Sequence, residues 1–118
     1  MRQKYGNKKT TRAFNGGTIT FDSMAEARRF DELHAMAKAG EIYNLTLQPE
    51  YIILDKVKHQ GHRTMPMRKY IPDFRYILDG QVIVEDVKSE PTKTPVYRLK
   101  KQLFLAIYGG KLTFREIS

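Results

Sequence analysis

Cysteine is absent from this sequence of 118 residues. Disulfide bonds and thiolate zinc sites are therefore excluded, and the composition fits a reducing cytoplasm. No apolar run approaches the length of a membrane span, and the basic N-terminus lacks the apolar stretch of a signal peptide. We expect a soluble, cytoplasmic protein without a membrane partner.

Acidic residues are scarce overall and missing from two basic stretches. Lysine and arginine number 21 against 13 acids, which gives a net charge of +8, and residues 1–12 and 56–69 contain no acid. Such a balance in a small domain predicts a polyanionic partner, of which nucleic acid is the most common. The alternative is that these charges only keep the protein soluble. The expected contacts to the DNA backbone are Lys4, Lys8, Lys9, Arg12, Lys58, Arg63, Arg68, Lys69, Lys93, Arg98 and Lys101.

The length of the chain predicts one domain. Residues 1–17 are polar, basic and rich in glycine, and we expect them to form a flexible arm that orders on a partner. Residues 18–118 are expected to form the single domain. Ser23 and Glu26 have the spacing of a capping box, which predicts a helix that ends at Gly40. Glu26 falls beside the apolar stripe of this helix and faces the sheet, where it could complete the cap or reach a metal site.

Residues 45–54 predict the first long strand, and residues 55–68 a basic loop or hairpin tip. We interpret Gln48 as a turn residue rather than an amide that lines a site. Thr94 and Pro95 begin a second helix that runs to about Tyr108. The apolar face of this helix is expected to contain Val96, Leu99, Leu103 and Ala106. A last strand follows around residues 111–115.

Residues 70–88 predict a β-hairpin, because Asp79-Gly80 separates two runs of β-branched and aromatic residues. A two-residue turn there places Asp73 directly opposite Asp86. Lys88 points to the same face as these two acids, and Glu85 points to the other face.

Two carboxylates and an ammonium on one face are suited to Mg²⁺ or Mn²⁺ and to the cleavage of a phosphodiester. The alternative is a solvated pair of charges on a strand. The flanking residues 82–84 and Val87 are apolar on both faces, however, which predicts a central strand where unused charges are costly.

Three motifs occur in a fixed order along the chain: Ser23-x-x-Glu26 on the first helix, Ile71-Pro72-Asp73 entering the hairpin and Asp86-x-Lys88 leaving it. With the basic helix that follows, this order resembles the PD-(D/E)XK nuclease superfamily over about residues 20–117. Within it, the chain is similar to small phage Holliday-junction resolvases of the endonuclease I kind. The resemblance implies an α/β (α+β) fold with a restriction-endonuclease-like core, in the order α-β-β-β-α-β, with a mixed sheet flanked by helices.

The resemblance further implies a metal-dependent DNA endonuclease. Asp73 and Asp86 would bind Mg²⁺ or Mn²⁺, with the Val87 carbonyl as a third ligand and Glu26 completing the site directly or through water. Lys88 would orient or help deprotonate the attacking water and stabilise charge on the phosphate. The products would carry 5′-phosphate and 3′-hydroxyl ends.

The substrate implied by the resemblance is branched DNA rather than a small molecule, in the cytoplasm of a bacterial host if the protein is encoded by a phage. One site per chain and two cuts per junction imply a symmetric homodimer. Two alternatives remain open. One is a general, restriction-like or transposase-partner nuclease, and the other is a DNA-binding or packaging accessory protein without catalytic turnover.

Overall fold

The computed structural model describes residues 9–118, so Lys4 and Lys8 lie outside the described residues. Within this range the chain forms eight strands and two α-helices. Their bounds are β1 (Thr10–Phe14), β2 (Gly17–Phe21), α1 (Met24–Lys38), β3 (Tyr43–Leu47), β4 (Tyr51–Leu54), β5 (Arg68–Tyr70), β6 (Phe74–Leu78), β7 (Gln81–Val87), α2 (Pro95–Tyr108) and β8 (Thr113–Ile117). Neither helix is long and apolar enough to cross a membrane.

The main sheet has four strands in the order β3-β6-β7-β8. β6 pairs antiparallel with β3 and β7, whereas β8 runs parallel to β7. The expected class, helices and strands with a mixed sheet, is therefore confirmed. The expected list of six elements is too short, because two further hairpins, β1–β2 and β4–β5, lie outside the main sheet.

The expected flexible arm is wrong for residues 10–17, which belong to the β1–β2 hairpin. Asn15 and Gly16 have φ angles of 51° and 78°. Positive φ at two successive residues is the signature of a type I′ turn, and Asn-Gly favours it. Phe14 and Ile19 then pack against the hydrophobic core, so this hairpin is part of the domain.

The expected strand over residues 45–54 is also wrong, because Gln48 interrupts it with a φ of 50°. β3 ends at Leu47 and pairs with β6, whereas β4 starts at Tyr51 and pairs with β5. Gln48, whose φ lies in the left-handed region, changes the direction of the chain at this point. The following Pro49 has no N–H to donate to a strand ladder, so the strand cannot continue through it.

Helix α1 begins as the sequence predicts. The Ser23 hydroxyl accepts a hydrogen bond from the Glu26 backbone N–H at 3.2 Å, which satisfies one free donor of the first turn. Phe30 and Leu33 are fully buried against the sheet. Together with Phe74 and Ile83 they form the core on one face of the main sheet.

Helix α2 buries a different face from the one that the sequence predicts. Val96 and Leu99 are 63% and 58% exposed, whereas Tyr97 and Phe104 are buried. The Phe104 ring lies 4.8 Å from the ring of Tyr51, measured between centroids, and also contacts the aromatic rings of β5 and β8. Aromatic rings bury more apolar area than aliphatic side chains, and their packing determines the orientation of this helix.

The two cores cover both faces of β7, as expected for a central strand. Ile83 belongs to the core beneath α1, and Val84 belongs to the core beneath α2. Side chains alternate along a strand. Asp86 therefore shares the α2 face with Val84, and Glu85 shares the α1 face with Ile83.

Candidate metal site

The β6–β7 hairpin has the predicted register. Asp79 and Gly80 form the turn with φ angles of 50° and 79°, and Leu78 pairs with Gln81. The ladder ends at the pair of Phe74 and Glu85, and the Asp73 N–H donates to the Glu85 carbonyl at 3.1 Å. Asp73 therefore lies one residue beyond the last pair of the ladder, at the position opposite Asp86.

The carboxylates of Asp73 and Asp86 are neighbours across the hairpin, close enough for Asp86 to raise the pKa of Asp73. Asp86 is only 3% exposed. Burial, followed by the contact with Asp86, raises the pKa of Asp73 to about 8, although the Val87 N–H donates to Asp73 Oδ2 at 2.7 Å and opposes this rise. Two carboxylates this close need a shared proton or a cation between them.

Tyr70 provides the second polar contact of Asp86. Its hydroxyl donates to Asp86 Oδ2 at 2.5 Å, and the tyrosine is itself buried. Burial and the neighbouring carboxylate raise the pKa of Tyr70 far above its ordinary value. The phenol therefore stays protonated and keeps donating to Asp86.

Lys88 lies beside the acidic pair, as the hairpin register predicts. Its Nζ is 4.9 Å from the centroid of the Tyr97 ring, which is a cation–π contact. Lys88 and Asp86 both line a cavity of about 290 Å³ between β5 and the start of α2. An ammonium and a carboxylate thus face the same solvent-accessible space.

Glu26 adjoins the acidic pair from helix α1, and it lines a cavity of about 200 Å³ with Val87 and Lys88. It is half-buried and lines a small cavity of about 80 Å³ together with Asp73 and Gln48. Desolvation, and then the charges of Asp22 and Asp86, raise the pKa of Glu26, whereas Lys88 lowers it. Glu26 is therefore within electrostatic range of the pair, but helix α1 packs on the other face of the sheet.

The interpretation of Gln48 as only a turn residue is incomplete. Its backbone does make the turn, and its N–H donates to the Asp73 carbonyl at 2.9 Å. The same residue also lines the cavity that Glu26 and Asp73 share. No local sequence signal distinguishes these two roles, because the cavity forms only when β2, α1 and β3 come together.

The chemistry of the donors fits a hard divalent cation. Asp73 and Asp86, with the Val87 carbonyl as the expected third donor, would supply oxygen ligands, which Mg²⁺ and Mn²⁺ prefer. Within residues 9–118, however, no group of three or more histidine, aspartate and glutamate side chains is placed to hold a metal ion. The acidic pair is the centre of the candidate site, and Glu26 borders it through the cavities that it lines with Asp73 and with Lys88.

Glu85 lies on the opposite face, as predicted, and has a structural partner there. It is fully buried, and Arg29 Nε and Nη2 donate to its two oxygens at 2.7 and 2.6 Å. The Tyr76 hydroxyl donates to it as well. The sequence analysis missed Arg29, although its position three residues after Glu26 brings it to the sheet-facing side of α1.

Many of the basic residues that are expected to contact DNA already form ion pairs with carboxylates of the protein. Arg12 pairs with Asp31 at 2.8 Å, and Lys69 pairs with Glu50 at 2.6 Å. Lys93, Arg98 and Lys101 contact Glu90, which precedes α2, and Glu116 of β8. Lys9, Lys58, Arg63 and Arg68 are exposed.

Lys100 was not among the expected DNA contacts, although it lies beside the candidate site. It is half-buried and lines the cavity of Asp86 and Lys88. Lys101, its selected neighbour, instead points to Glu116 with Nζ 3.1 Å from the carboxylate. The sequence offers no signal for this difference, since both residues lie in one basic run.

The structure therefore defines an α and β protein whose mixed sheet holds a buried acidic pair beside a lysine. The chain belongs to the family described as "Protein of unknown function (DUF1064)", whose family model matches residues 2–117. No curated protein and no solved structure matches the chain.

Proposed function

We propose that this protein is a metal-dependent, structure-selective DNA endonuclease that hydrolyses phosphodiester bonds and resolves four-way junctions for a phage or prophage. The observation that carries the proposal is the contact of Asp73 with Asp86 beside Lys88. Two buried carboxylates in contact are unfavourable unless a cation or a proton is shared between them. The nuclease motifs of the sequence supply the same three residues.

Asp73 and Asp86 would hold Mg²⁺ or Mn²⁺ with the Val87 carbonyl, and Glu26, which lines a cavity with Asp73, would complete the site directly or through water. When bound, such a cation acts as a Lewis acid on the phosphate and lowers the pKa of water. The protein provides the geometry. The Val87 N–H orients Asp73, and the Tyr70 hydroxyl orients Asp86.

Lys88 would act on the phosphate and on the attacking water. Its ammonium shares a cavity with Asp86, so it can donate to a non-bridging phosphate oxygen where negative charge develops. Water would attack phosphorus in line with the leaving 3′-oxygen and pass a proton to solvent, the P–O3′ bond would break, and the 3′-oxygen would take up a proton from solvent. The ends are then a 5′-phosphate and a 3′-hydroxyl.

Binding of DNA would use the exposed basic residues and those whose ion pairs can be exchanged. Exposed ion pairs contribute little to stability, so Lys69 can exchange Glu50 for a phosphate at low cost. Contacts to phosphates carry no sequence information, which favours recognition of DNA shape. One acidic pair per chain and two cuts per junction favour a symmetric homodimer.

Two other functions are alternatives to this proposal. A general or restriction-like nuclease would use the same residues on linear DNA. A DNA-binding or packaging accessory protein would keep the fold without turnover.

The test is cleavage of a labelled four-way junction beside a linear duplex of the same sequence, with Mg²⁺ or with EDTA. We expect paired nicks on the junction that require the metal. Lys88→Ala should abolish them and retain DNA binding, whereas Lys38→Ala, an exposed lysine in the last turn of α1, should cleave like the wild type.

Equal cleavage of both substrates would support the general nuclease and rule out selectivity for junctions. Binding of DNA without cleavage, with Mn²⁺ also tried, would support the accessory protein. Unimpaired cleavage by Lys88→Ala would show that the chemistry lies elsewhere.

A further inference from the structure

We propose that the cavity between β5 and the first turns of α2 binds a second phosphate of the DNA strand, adjacent to the one that is cut, and that Lys100 and Lys69 hold it. This inference rests on the proposed function and adds a substrate subsite to it. The cavity, called the lysine cavity below, is lined by Lys69, Tyr70, Ile71, Asp86, Lys88, Thr94, Val96, Tyr97 and Lys100.

The lysine cavity is continuous with the candidate metal site, because Asp86 and Lys88 form part of its wall. Its volume of about 290 Å³ is at the lower end of the range for cavities that bind small ligands. A phosphate with its attached sugar is therefore a ligand of suitable size. A strand whose scissile phosphate lies at Lys88 would pass directly into this space.

The charges of the cavity favour an anion. Three lysines face one carboxylate, and that carboxylate already accepts the Tyr70 hydroxyl and contacts Asp73. Lys100 forms no salt bridge with any residue of the described part of the chain. A half-buried lysine without a carboxylate is an unused donor of up to three hydrogen bonds.

Lys69 is the second donor. It pairs with Glu50, but both side chains of that pair are largely exposed, so the pair is weak. Lys69 directly precedes the buried Tyr70 on β5, and both Lys69 and Lys100 of α2 belong to the wall of the cavity. A phosphate bound between Lys69 of β5 and Lys100 of α2 would replace Glu50 as the partner of Lys69.

The apolar lining favours a nucleotide over a free phosphate ion. Ile71 and Val96 are exposed large apolar side chains, and both belong to the wall of the cavity. A deoxyribose or base attached to the phosphate would cover them and gain free energy by removing apolar area from water. A bare inorganic phosphate would leave both exposed.

The first experiment measures DNA binding as a function of salt, in EDTA so that no cleavage occurs. Lys100→Gln should bind the junction about tenfold more weakly at low salt, as for loss of a hydrogen bond to a charged group. The slope of log K against log[salt] should fall by about 0.9, the value for one lost phosphate contact. Lys100→Arg should restore both values, and the exposed Lys111→Gln should match the wild type.

The second experiment identifies the ligand by competition with the labelled junction. A deoxynucleoside 3′,5′-bisphosphate should compete with DNA for the wild type and compete much less for Lys100→Gln. Inorganic phosphate at the same concentration should compete poorly for both. Equal competition by inorganic phosphate would overturn the assignment to a nucleotide.

The outcomes separate this inference from the proposed nuclease activity. If the wild type binds DNA without cutting it, the nuclease proposal fails, and the salt slope of Lys100→Gln still decides whether the cavity binds a phosphate. If the wild type cuts DNA and Lys100→Gln has an unchanged slope and unchanged KM, the subsite is absent. A lower kcat with unchanged binding would also refute it.

Discussion

The Tyr70 hydroxyl donates a 2.5 Å hydrogen bond to Asp86 Oδ2 and thereby joins the β4–β5 hairpin to the main sheet. The Tyr97 ring lies 6.3 Å from the Tyr70 ring, measured between centroids, and the Tyr97 hydroxyl donates to Glu116 Oε2 at 2.6 Å. Each phenol has one proton, so the two neighbouring tyrosines serve different carboxylates. The Tyr70 hydrogen bond fixes one oxygen of Asp86 and leaves the other free of this bond.

The first prediction concerns this hydrogen bond. Tyr70→Phe removes the hydroxyl but keeps the ring, whose centroid lies 5.0 Å from that of Phe104. We expect metal binding to weaken by about tenfold, because a hydrogen bond to a charged group contributes about 1.5–3 kcal/mol. Titration of cleavage with Mg²⁺ should show this shift with little change in kcat at saturating metal.

Tyr43→Phe is the control for this substitution, because Tyr43 is exposed. Direct binding of Mn²⁺ provides a readout that does not depend on cleavage. An unchanged metal affinity of Tyr70→Phe would show that the hydroxyl does not position Asp86.

The second prediction concerns the pH dependence of stability. The folded protein holds the proton of Asp73 up to about pH 8, whereas the unfolded chain loses it near pH 4. The native state thus binds more protons between these values, so the free energy of unfolding falls as the pH rises from about 4 to about 8. Asp73→Asn removes this term and should stabilise the metal-free protein at pH 8 by at least about 1 kcal/mol.

Urea unfolding at pH 4 and at pH 8 measures this effect. Asparagine keeps an acceptor for the Val87 N–H and gains a donor for Asp86, so little should be lost at pH 4. The exposed Asp55→Asn keeps Asp73 and should therefore lose stability between pH 4 and pH 8 as the wild type does. A destabilised Asp73→Asn at pH 8 would contradict the repulsion between the two acids.

The third prediction concerns the buried ion pair on the other face of β7. Arg29→Ala leaves the fully buried Glu85 without its bidentate partner and should destabilise the fold by about 3–5 kcal/mol. Arg28→Ala, at the neighbouring exposed position, should change stability by less than about 0.5 kcal/mol. Similar unfolding curves for the two variants would show that the pair is unimportant for stability.

The fourth prediction concerns the hairpin turn. Gly80 has a φ of 79°, a conformation that costs an alanine about 1–2 kcal/mol, and a Cβ there would meet no other atom. Gly80→Ala should therefore destabilise the protein by that amount through backbone strain alone. Gly110→Ala adds a Cβ in equally open space without a positive φ and should be nearly neutral. Equal effects would exclude strain as the cause.

The sequence alone predicts features that depend on a few neighbouring residues. The register of Asp73 and Asp86 follows from the Asp79-Gly80 turn, because a two-residue loop leaves only one pairing of the flanking strands. The start of α1 follows from the hydroxyl of Ser23 and the N–H three residues later. The β1–β2 hairpin was equally predictable from Asn15-Gly16, since the same turn chemistry applies there.

Other features depend on residues that meet only in the folded chain. Which face of α2 is buried was decided by the rings of Tyr51, Tyr70 and Phe114, which come from three distant strands. The same packing placed Lys100 rather than Lys101 in the lysine cavity. The local geometry of the hairpin turn thus determined which two acids lie opposite each other. The burial of aromatic surface across the chain decided what surrounds them, because burial depends on partners that helical or strand periodicity does not specify.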